Sequence, residues 1–258
     1  SEAMKALEEG NKSLRDFSRV VAHDLKTPIG LIVGFARRLR KKFDRLDDED
    51  KLLHLDKILD SSQRMDRLIQ SLLRFAEASA SDIEFEEVPI EMALQEVLAD
   101  MDNVVQEGQV TVVAKDLPTI EGNMTFMYQV LLNLLSNAVK FRKTEIPCEI
   151  IVSGEIAGDD CILKVADNGM GFDSENSPDI FAPLKRLKTD TQIEGSGLGL
   201  ATVKKIIQHH NGDISAHSEI GVGTTITMRL PISQSKKSSS KVGQKDTTAQ
   251  SEEKEAAL

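Results

Sequence analysis

His23 and Asp24 stand side by side in the hexapeptide His23-Asp24-Leu25-Lys26-Thr27-Pro28. An imidazole next to a carboxylate is a nucleophile with a proton acceptor beside it. Around the pair, Phe17, Val21, Leu25, Ile29, Ile32, Phe35, Leu39 and Phe43 recur at three- and four-residue steps, which keeps one apolar stripe on a helix. His23 falls off that stripe and is expected to face solvent. Pro28 lies in the same helix, where it lacks a donor and crowds the carbonyl of Asp24, so a kink is expected there.

A second constellation follows in Asn133-Leu134-Leu135-Ser136-Asn137-Ala138-Val139-Lys140. Asn133, Asn137 and Lys140 are spaced i, i+4 and i+7 and share one helical face, while Val130, Leu131, Leu134 and Leu135 form the apolar face opposite. Two amides and an ammonium in a row suit a phosphate chain with hydrated Mg²⁺: amide oxygens ligate a hard cation, and the lysine offsets phosphate charge. Downstream, Asp167-Asn168-Gly169-Met170-Gly171 ends a strand with a carboxylate and two glycines. Such a carboxylate can accept the exocyclic amine of adenine, and the glycines let the backbone approach a ring. Gly195-Ser196-Gly197-Leu198-Gly199-Leu200 then opens a helix, a phosphate-cradling arrangement. A Rossmann reading of these glycines fails, because no strand directly precedes them and no βαβ unit surrounds them.

The elements that must carry these residues fall into two groups. Residues from about Lys5 to Phe43 read as one helix, on the order of 60 Å long. A polar turn over Asp44 to Asp50 leads into a second helix from about Lys51 to Ala78. The resulting hairpin cannot cover its own stripe, so a homodimeric four-helix bundle is expected. Beyond Ile83 the pattern changes. Helices are expected from about Val88 to Gln106, Met124 to Phe141 and Leu200 to His210. Strands are expected at Val110–Ala114, Glu149–Glu155, Cys161–Asp167, Asp213–Ser218 and Thr224–Leu230, giving an α+β domain with helices on one face of a mixed sheet. After Pro231 the chain is polar with almost nothing apolar and reads as a disordered tail. The expected domains are therefore 1–80, 81–232 and a tail over 233–258.

Composition narrows the function classes. A formal net charge of -10 over 258 residues argues against a nucleic-acid partner. No apolar run reaches the roughly 18 residues of a membrane span, and the N-terminus does not read as a signal peptide. Cys148 and Cys161 lack metal-ligand spacing and read as buried thiols of a cytoplasmic protein. His209-His210 before Asn211-Gly212 reads as a helix C-terminal cap rather than a metal site. His54 and His217 have no partner pattern and receive no role.

In this order, the four motifs resemble the catalytic core of bacterial two-component sensor histidine kinases. Phe172, Phe181 and Pro183 resemble that family's F-box region, and the similarity spans about residues 12 to 232. The resemblance implies a multi-domain fold: an all-α antiparallel dimerisation and phosphotransfer hairpin, then an α+β two-layer sandwich of the GHKL (Bergerat) ATPase type. It implies ATP and Mg²⁺ as cofactors, autophosphorylation on His23, and transfer to an aspartate of a separate response regulator. By the same resemblance, Asp24 accepts the Nδ1 proton and Thr27 orients water for dephosphorylating the regulator. Asn137 resembles the Mg²⁺ ligand, Asn133 and Lys140 phosphate contacts, and Asp167 with Gly169 and Gly171 the adenine pocket. Arg186 resembles a charge-stabilising lid residue, and Gly195, Gly197 and Gly199 the lid that cradles the triphosphate. Two positions depart from the pattern: Asp24 stands where Glu is more common, and Asn123 where many relatives carry an acid. A sensor domain is expected upstream, and the full-length protein could be membrane-tethered. The rival readings are a regulator phosphatase, a catalytically silent dimeric scaffold for a regulator, and a GHKL ATPase driving clamp motion.

Overall fold

The computed structural model describes residues 2–78, 84–102, 110–174, 179–185 and 195–234; the side chains of 1–17 and 179 lie outside that description. Helix α1 (Glu2–Lys42) contains Pro28 and turns through a single 3₁₀ turn at Phe43–Arg45 into α2 (Asp48–Glu77). The second helix starts three residues earlier than its apolar pattern indicates because Asp47 caps it, accepting the Asp50 N–H at 2.8 Å. Asp48, Glu49 and Asp50 then lie in the first turn, where negative charge complements the helix dipole. Within one chain the hairpin buries little: Pro28, Ser61 and Leu68 are covered, while Ile29, Leu31, Leu52, Leu53, Leu59, Ile69 and Leu73 remain exposed.

The second unit runs β1 (Glu86–Pro89), α3 (Ile90–Asp100), β2 (Val110–Lys115), β3 (Thr119–Gly122), α4 (Met124–Lys140), β4 (Cys148–Ala157) and β5 (Asp160–Asp167). It ends with α5 (Gly199–His209), β6 (Asp213–Glu219) and β7 (Gly223–Pro231). Five strands form one sheet in the order β2-β4-β5-β7-β6, with β2 parallel to β4 and the other pairs antiparallel. The core lies between that sheet and the helices: Leu94 and Val97 of α3, Leu131 and Leu135 of α4, and Ile206 and Ile207 of α5 are buried with Ile150, Val152, Leu163 and Met228. This is a two-layer α+β sandwich following an all-α hairpin.

Two elements depart from the sequence pattern. Strands β1 and β3 pair antiparallel, with Val88 opposite Ile120, where local pattern gave a helix start and no strand. Both side chains are buried, so long-range pairing overrides the local signal. The following helix begins at Ile90 and ends at Asp100, short of Gln106; residues 103–109 lie outside the described set, as does the expected tail from 235 onward. Ser233 and Gln234 still bond to the Glu121 carboxylate at 2.7 Å.

The end of α5 is tied to the start of α4. Asn211 adopts φ 55°, and the Gly212 N–H reaches the Ile207 carbonyl at 2.9 Å while Asn211 N–H reaches Gln208, a Schellman closure. His210, 0 % exposed, donates from Nδ1 to the Ile206 carbonyl at 2.8 Å, which fixes the tautomer. Its Nε2 accepts the Asn123 N–H at 3.1 Å. Asn123, at the N-cap of α4, accepts the Phe126 N–H at 3.1 Å and donates from Nδ2 to the Glu84 carbonyl at 3.2 Å; the second bond needs an amide and is one a carboxylate in this position could not make. His210→Ala should cost about 2–4 kcal/mol by denaturant unfolding, because it opens a cavity and strands a donor. Burial holds His210 below its ordinary pKa. The folded state therefore binds the proton less tightly, and stability is lost as pH falls below about 6.5. In His210→Ala this contribution to the pH slope should vanish.

Candidate active site

His23 is presented on α1 with its side chain 78 % exposed, and its Nδ1 lies 3.0 Å from Asp24 Oδ1. An ionised carboxylate only accepts, so this bond places the ring proton on Nδ1 and leaves the Nε2 lone pair free toward solvent. Thr27 Oγ1 donates to the His23 carbonyl at 3.2 Å, so its hydroxyl keeps acceptor lone pairs. Pro28 comes next and cannot donate to Asp24, so helix bonding is interrupted one turn after the histidine.

In the second domain the amphipathic pattern of α4 sorts as expected. Val130, Leu131, Leu134, Leu135, Ala138 and Val139 are buried against the core, and Asn133, Asn137 and Lys140 are half-buried on the other face. The tertiary fold brings the glycine segment onto that face. A Cβ on Gly195 would run into Lys140 Nζ, and one on Gly199 would sit 3.1 Å from Asn133 Oδ1. Asn133 and Lys140 are thus matched turn by turn to the opening of α5. The Leu184 N–H donates to the Gly197 carbonyl at 2.9 Å, with both residues at positive φ. Arg186 lies outside the described residues.

Asp167 ends β5 beside the C-terminus of α4. Its Oδ1 accepts the Gly169 N–H at 2.8 Å, and Met170 N–H bonds the Phe141 carbonyl at 2.9 Å. A Cβ on Gly169 would stand 2.7 Å from both Asp167 Oδ1 and Phe141 O, so the backbone is pressed onto the carboxylate. Burial pushes the Asp167 pKa up, against the opposing pull of the Gly169 and Thr224 N–H groups. Gly171, at φ 64°, sits against the backbone of Glu219 at the end of β6. Asn168 is structural: its amide accepts from Glu149 N–H at 2.9 Å and donates to the Pro147 carbonyl at 3.0 Å.

These residues form a polar trough along α4. Among the described residues no group of three or more His, Cys, Asp or Glu could hold a metal. A cation bound here would take an amide oxygen, waters and the oxygens of an anionic ligand, the set Mg²⁺ prefers when it travels with a nucleotide. A separate cleft of about 450 Å³ between α3 and α4, where Tyr128 donates to Asp100 at 2.6 Å, shares no residue with the trough.

The sequence pattern overlooks two residues at this site. Gln129 lies one turn before Asn133 on the same face of α4 and is buried; continuing the i+4 step backward would have found it. Arg74 comes from α2 and adjoins the trough across the domain junction. Nothing local marks it.

Comparison with known proteins places both halves of the chain. Residues 13–81 match the His Kinase A (phospho-acceptor) domain, and residues 122–234 match the histidine kinase-, DNA gyrase B- and HSP90-like ATPase. The chain is 31% identical over 226 residues to cyanobacterial phytochrome A of Nostoc sp., across 88% of this chain and 29% of that protein. It is 30% identical over 245 residues to the sensor histidine kinase RcsC of Salmonella typhi, across 90% of this chain and 25% of that protein. The chain thus spans less than a third of the length of these two relatives. The fold matches histidine kinase ThkA, solved in complex with response regulator protein TrrA, with TM-score 0.69 and 23% identity over 90% of this chain and 65% of that one. A phospho-acceptor hairpin followed by an ATPase domain of this type makes the chain a member of the histidine kinase family, namely its catalytic core.

Proposed function

We propose that the chain transfers the γ-phosphoryl group of ATP to His23 and then to an aspartate of a separate response regulator. The observation that carries this reading is the His23–Asp24 pair, whose hydrogen bond leaves Nε2 unprotonated and open on a solvent-facing helix. Nε2 attacks the γ-phosphorus in line; the P–N bond forms as the P–O bond to ADP breaks, and Asp24 offsets the positive charge that develops on the ring. Asn133 and Lys140 hold phosphate oxygens, Asp167 accepts the adenine amine, and Gly195, Gly197 and Gly199 bring backbone N–H groups to the phosphates. Asn137 is the residue that would hold Mg²⁺ through its amide oxygen, and the ion would supply positive charge against the phosphates. Arg186 would add a cation that offsets charge on the transferring phosphate.

The exposed apolar face of the hairpin supports a homodimer, in which a second copy covers Leu52, Leu59, Ile69 and Leu73. A receiver partner in trans is supported by the ThkA relative, which was solved with its regulator. Thr27, with hydroxyl lone pairs free one turn from His23, supports a second activity: orienting water for regulator dephosphorylation. The buried free thiols Cys148 and Cys161 are consistent with a reducing, cytoplasmic setting, and no helix among the described residues is long and apolar enough to cross a membrane.

Incubation with γ-labelled ATP and Mg²⁺ tests the reading. The expected product is a protein-bound label that is stable in alkali and lost in acid, as a phosphoramidate is. Nucleotide binding without any label would favour the phosphatase or scaffold reading. Released inorganic phosphate with no phospho-protein would favour the ATPase.

A further inference from the structure

Helix α2 of the hairpin docks on α5 of the ATP-binding domain, with Lys205 Nζ over the Phe75 ring at 4.4 Å. Burial at this junction holds Lys205 below the ordinary lysine pKa. One turn from Phe75, a small cavity of about 50 Å³ opens between the two domains, lined by Arg74 of α2, Gln129 and Asn133 of α4, and Ser196 and Gly199 at the opening of α5. No acidic residue lines it.

Arg74 and the opening of α5 bring donors to this cavity, and the Gln129 and Asn133 amides line it. Gln129 is 8 % exposed, and its Nε2 has no hydrogen-bond partner. A buried amide N–H₂ left unpaired costs about 1–3 kcal/mol, so it calls for a ligand that accepts. The eleven-residue helix α5 begins here without a side-chain cap, which leaves the first N–H groups open at its positive end. The local hydroxyls are already used: Ser196 Oγ accepts from Leu198 N–H, and Thr202 donates to the Leu198 carbonyl. Arg74 adds a full positive charge from the other domain and has no ion-pair partner among the described residues. An unpaired amide, an uncapped helix start and a guanidinium converge on one acid-free cavity. The ligand they fit is a compact, oxygen-rich anion.

Continuity identifies its source. Asn133 and Gly199 line both this cavity and the trough assigned to the nucleotide, so an anion here continues the phosphate chain. We propose that the cavity receives the terminal phosphate of the bound nucleoside triphosphate, held by Gln129 from the ATP-binding domain and by Arg74 from the hairpin. The proposal rests on placing the nucleotide along Asn133, Asn137 and Lys140. Arg74 is then a specificity-determining residue: it distinguishes triphosphate from diphosphate and couples that difference to domain docking. A diphosphate leaves the cavity without an anion and the junction without its cross-domain clamp.

Calorimetric titration with the β,γ-imido analogue of ATP and with ADP, each with Mg²⁺, tests this on the full chain. Arg74 is exposed on α2, so Arg74→Ala should fold normally. It should weaken the analogue roughly tenfold, as loss of one charge-assisted contact does, and leave ADP within about twofold. Gln129→Leu should show the same selective loss. In wild-type protein the analogue, and not ADP, should slow amide hydrogen exchange across 68–77 of α2, and Arg74→Ala should remove that protection. Equal effects of Arg74→Ala on both nucleotides, or none on either, would overturn the proposal while leaving the nucleotide site intact. Failure of wild type to bind either nucleotide would overturn the nucleotide assignment, and this proposal with it.

Discussion

His23→Gln should remove the acid-labile label altogether and leave nucleotide affinity within about twofold. The substitution removes the imidazole nitrogen that forms the P–N bond, and losses of essential nucleophiles are on the order of 10³-fold or more. The side chain is 78 % exposed, and among the described residues its side-chain hydrogen bond runs to the neighbouring Asp24. Stability should therefore change by no more than about 0.5 kcal/mol, as for other surface substitutions. The measurement is a labelling time course beside a thermal melt of the same preparation. Persistent label in His23→Gln would move the acceptor elsewhere; His54, on α2, would be examined next. His54 Nδ1 lies 2.7 Å from the Asp50 carbonyl and its ring packs edge-on to Phe35, so it serves the hairpin interior. A melt lowered by several degrees would instead mean that His23 has a structural role its exposure does not indicate.

Asp167→Asn should have opposite effects on binding and on stability. Burial raises the Asp167 pKa, so the folded state binds the proton more tightly than the unfolded chain does. The corresponding stability is fully present below the unfolded pKa and is lost as pH rises through the folded one. At neutral pH the ionised carboxylate therefore costs stability, and an amide that still accepts the Gly169 N–H should raise the melting temperature. The gain should disappear as pH is lowered and wild type takes up its proton. Adenine recognition moves the other way, because a charged acceptor is replaced by a weaker one. A hydrogen bond to a charged group contributes about 1.5–3 kcal/mol, so nucleotide affinity should fall roughly ten- to a hundredfold. In wild type, affinity should decline on acidification at a higher pH than an ordinary aspartate would set. Unchanged affinity in Asp167→Asn would remove this residue from the nucleotide site.

The chemistry of the chain was legible residue by residue. Periodicities of three and four placed α1 and α2, and the i, i+4, i+7 spacing put Asn133, Asn137 and Lys140 on one face. Both are properties of a single helix, which consecutive residues specify. The His23–Asp24 pairing is likewise local, since neighbouring side chains need only one rotamer each to meet.

Contacts between residues far apart in sequence were decided only by the tertiary structure. Strands β1 and β3 exist because Val88 and Ile120 pair and are buried together, and four-residue segments carry too little local signal to announce it. Asn123 caps α4 and its N–H reaches His210 at the end of α5, a contact no local pattern encodes. Gly195 meets Lys140 and Gly199 meets Asn133 because β4 and β5 carry the chain back across the sheet. Gln129 lay in plain view at the correct helical step, yet only burial without a partner distinguished it from an ordinary surface amide. Arg74 joins the same cavity from the other domain. The sequence determined which groups could do phosphoryl chemistry, because side-chain type and helical spacing are local. Packing decided which of them meet, because burial and long-range pairing depend on the whole chain.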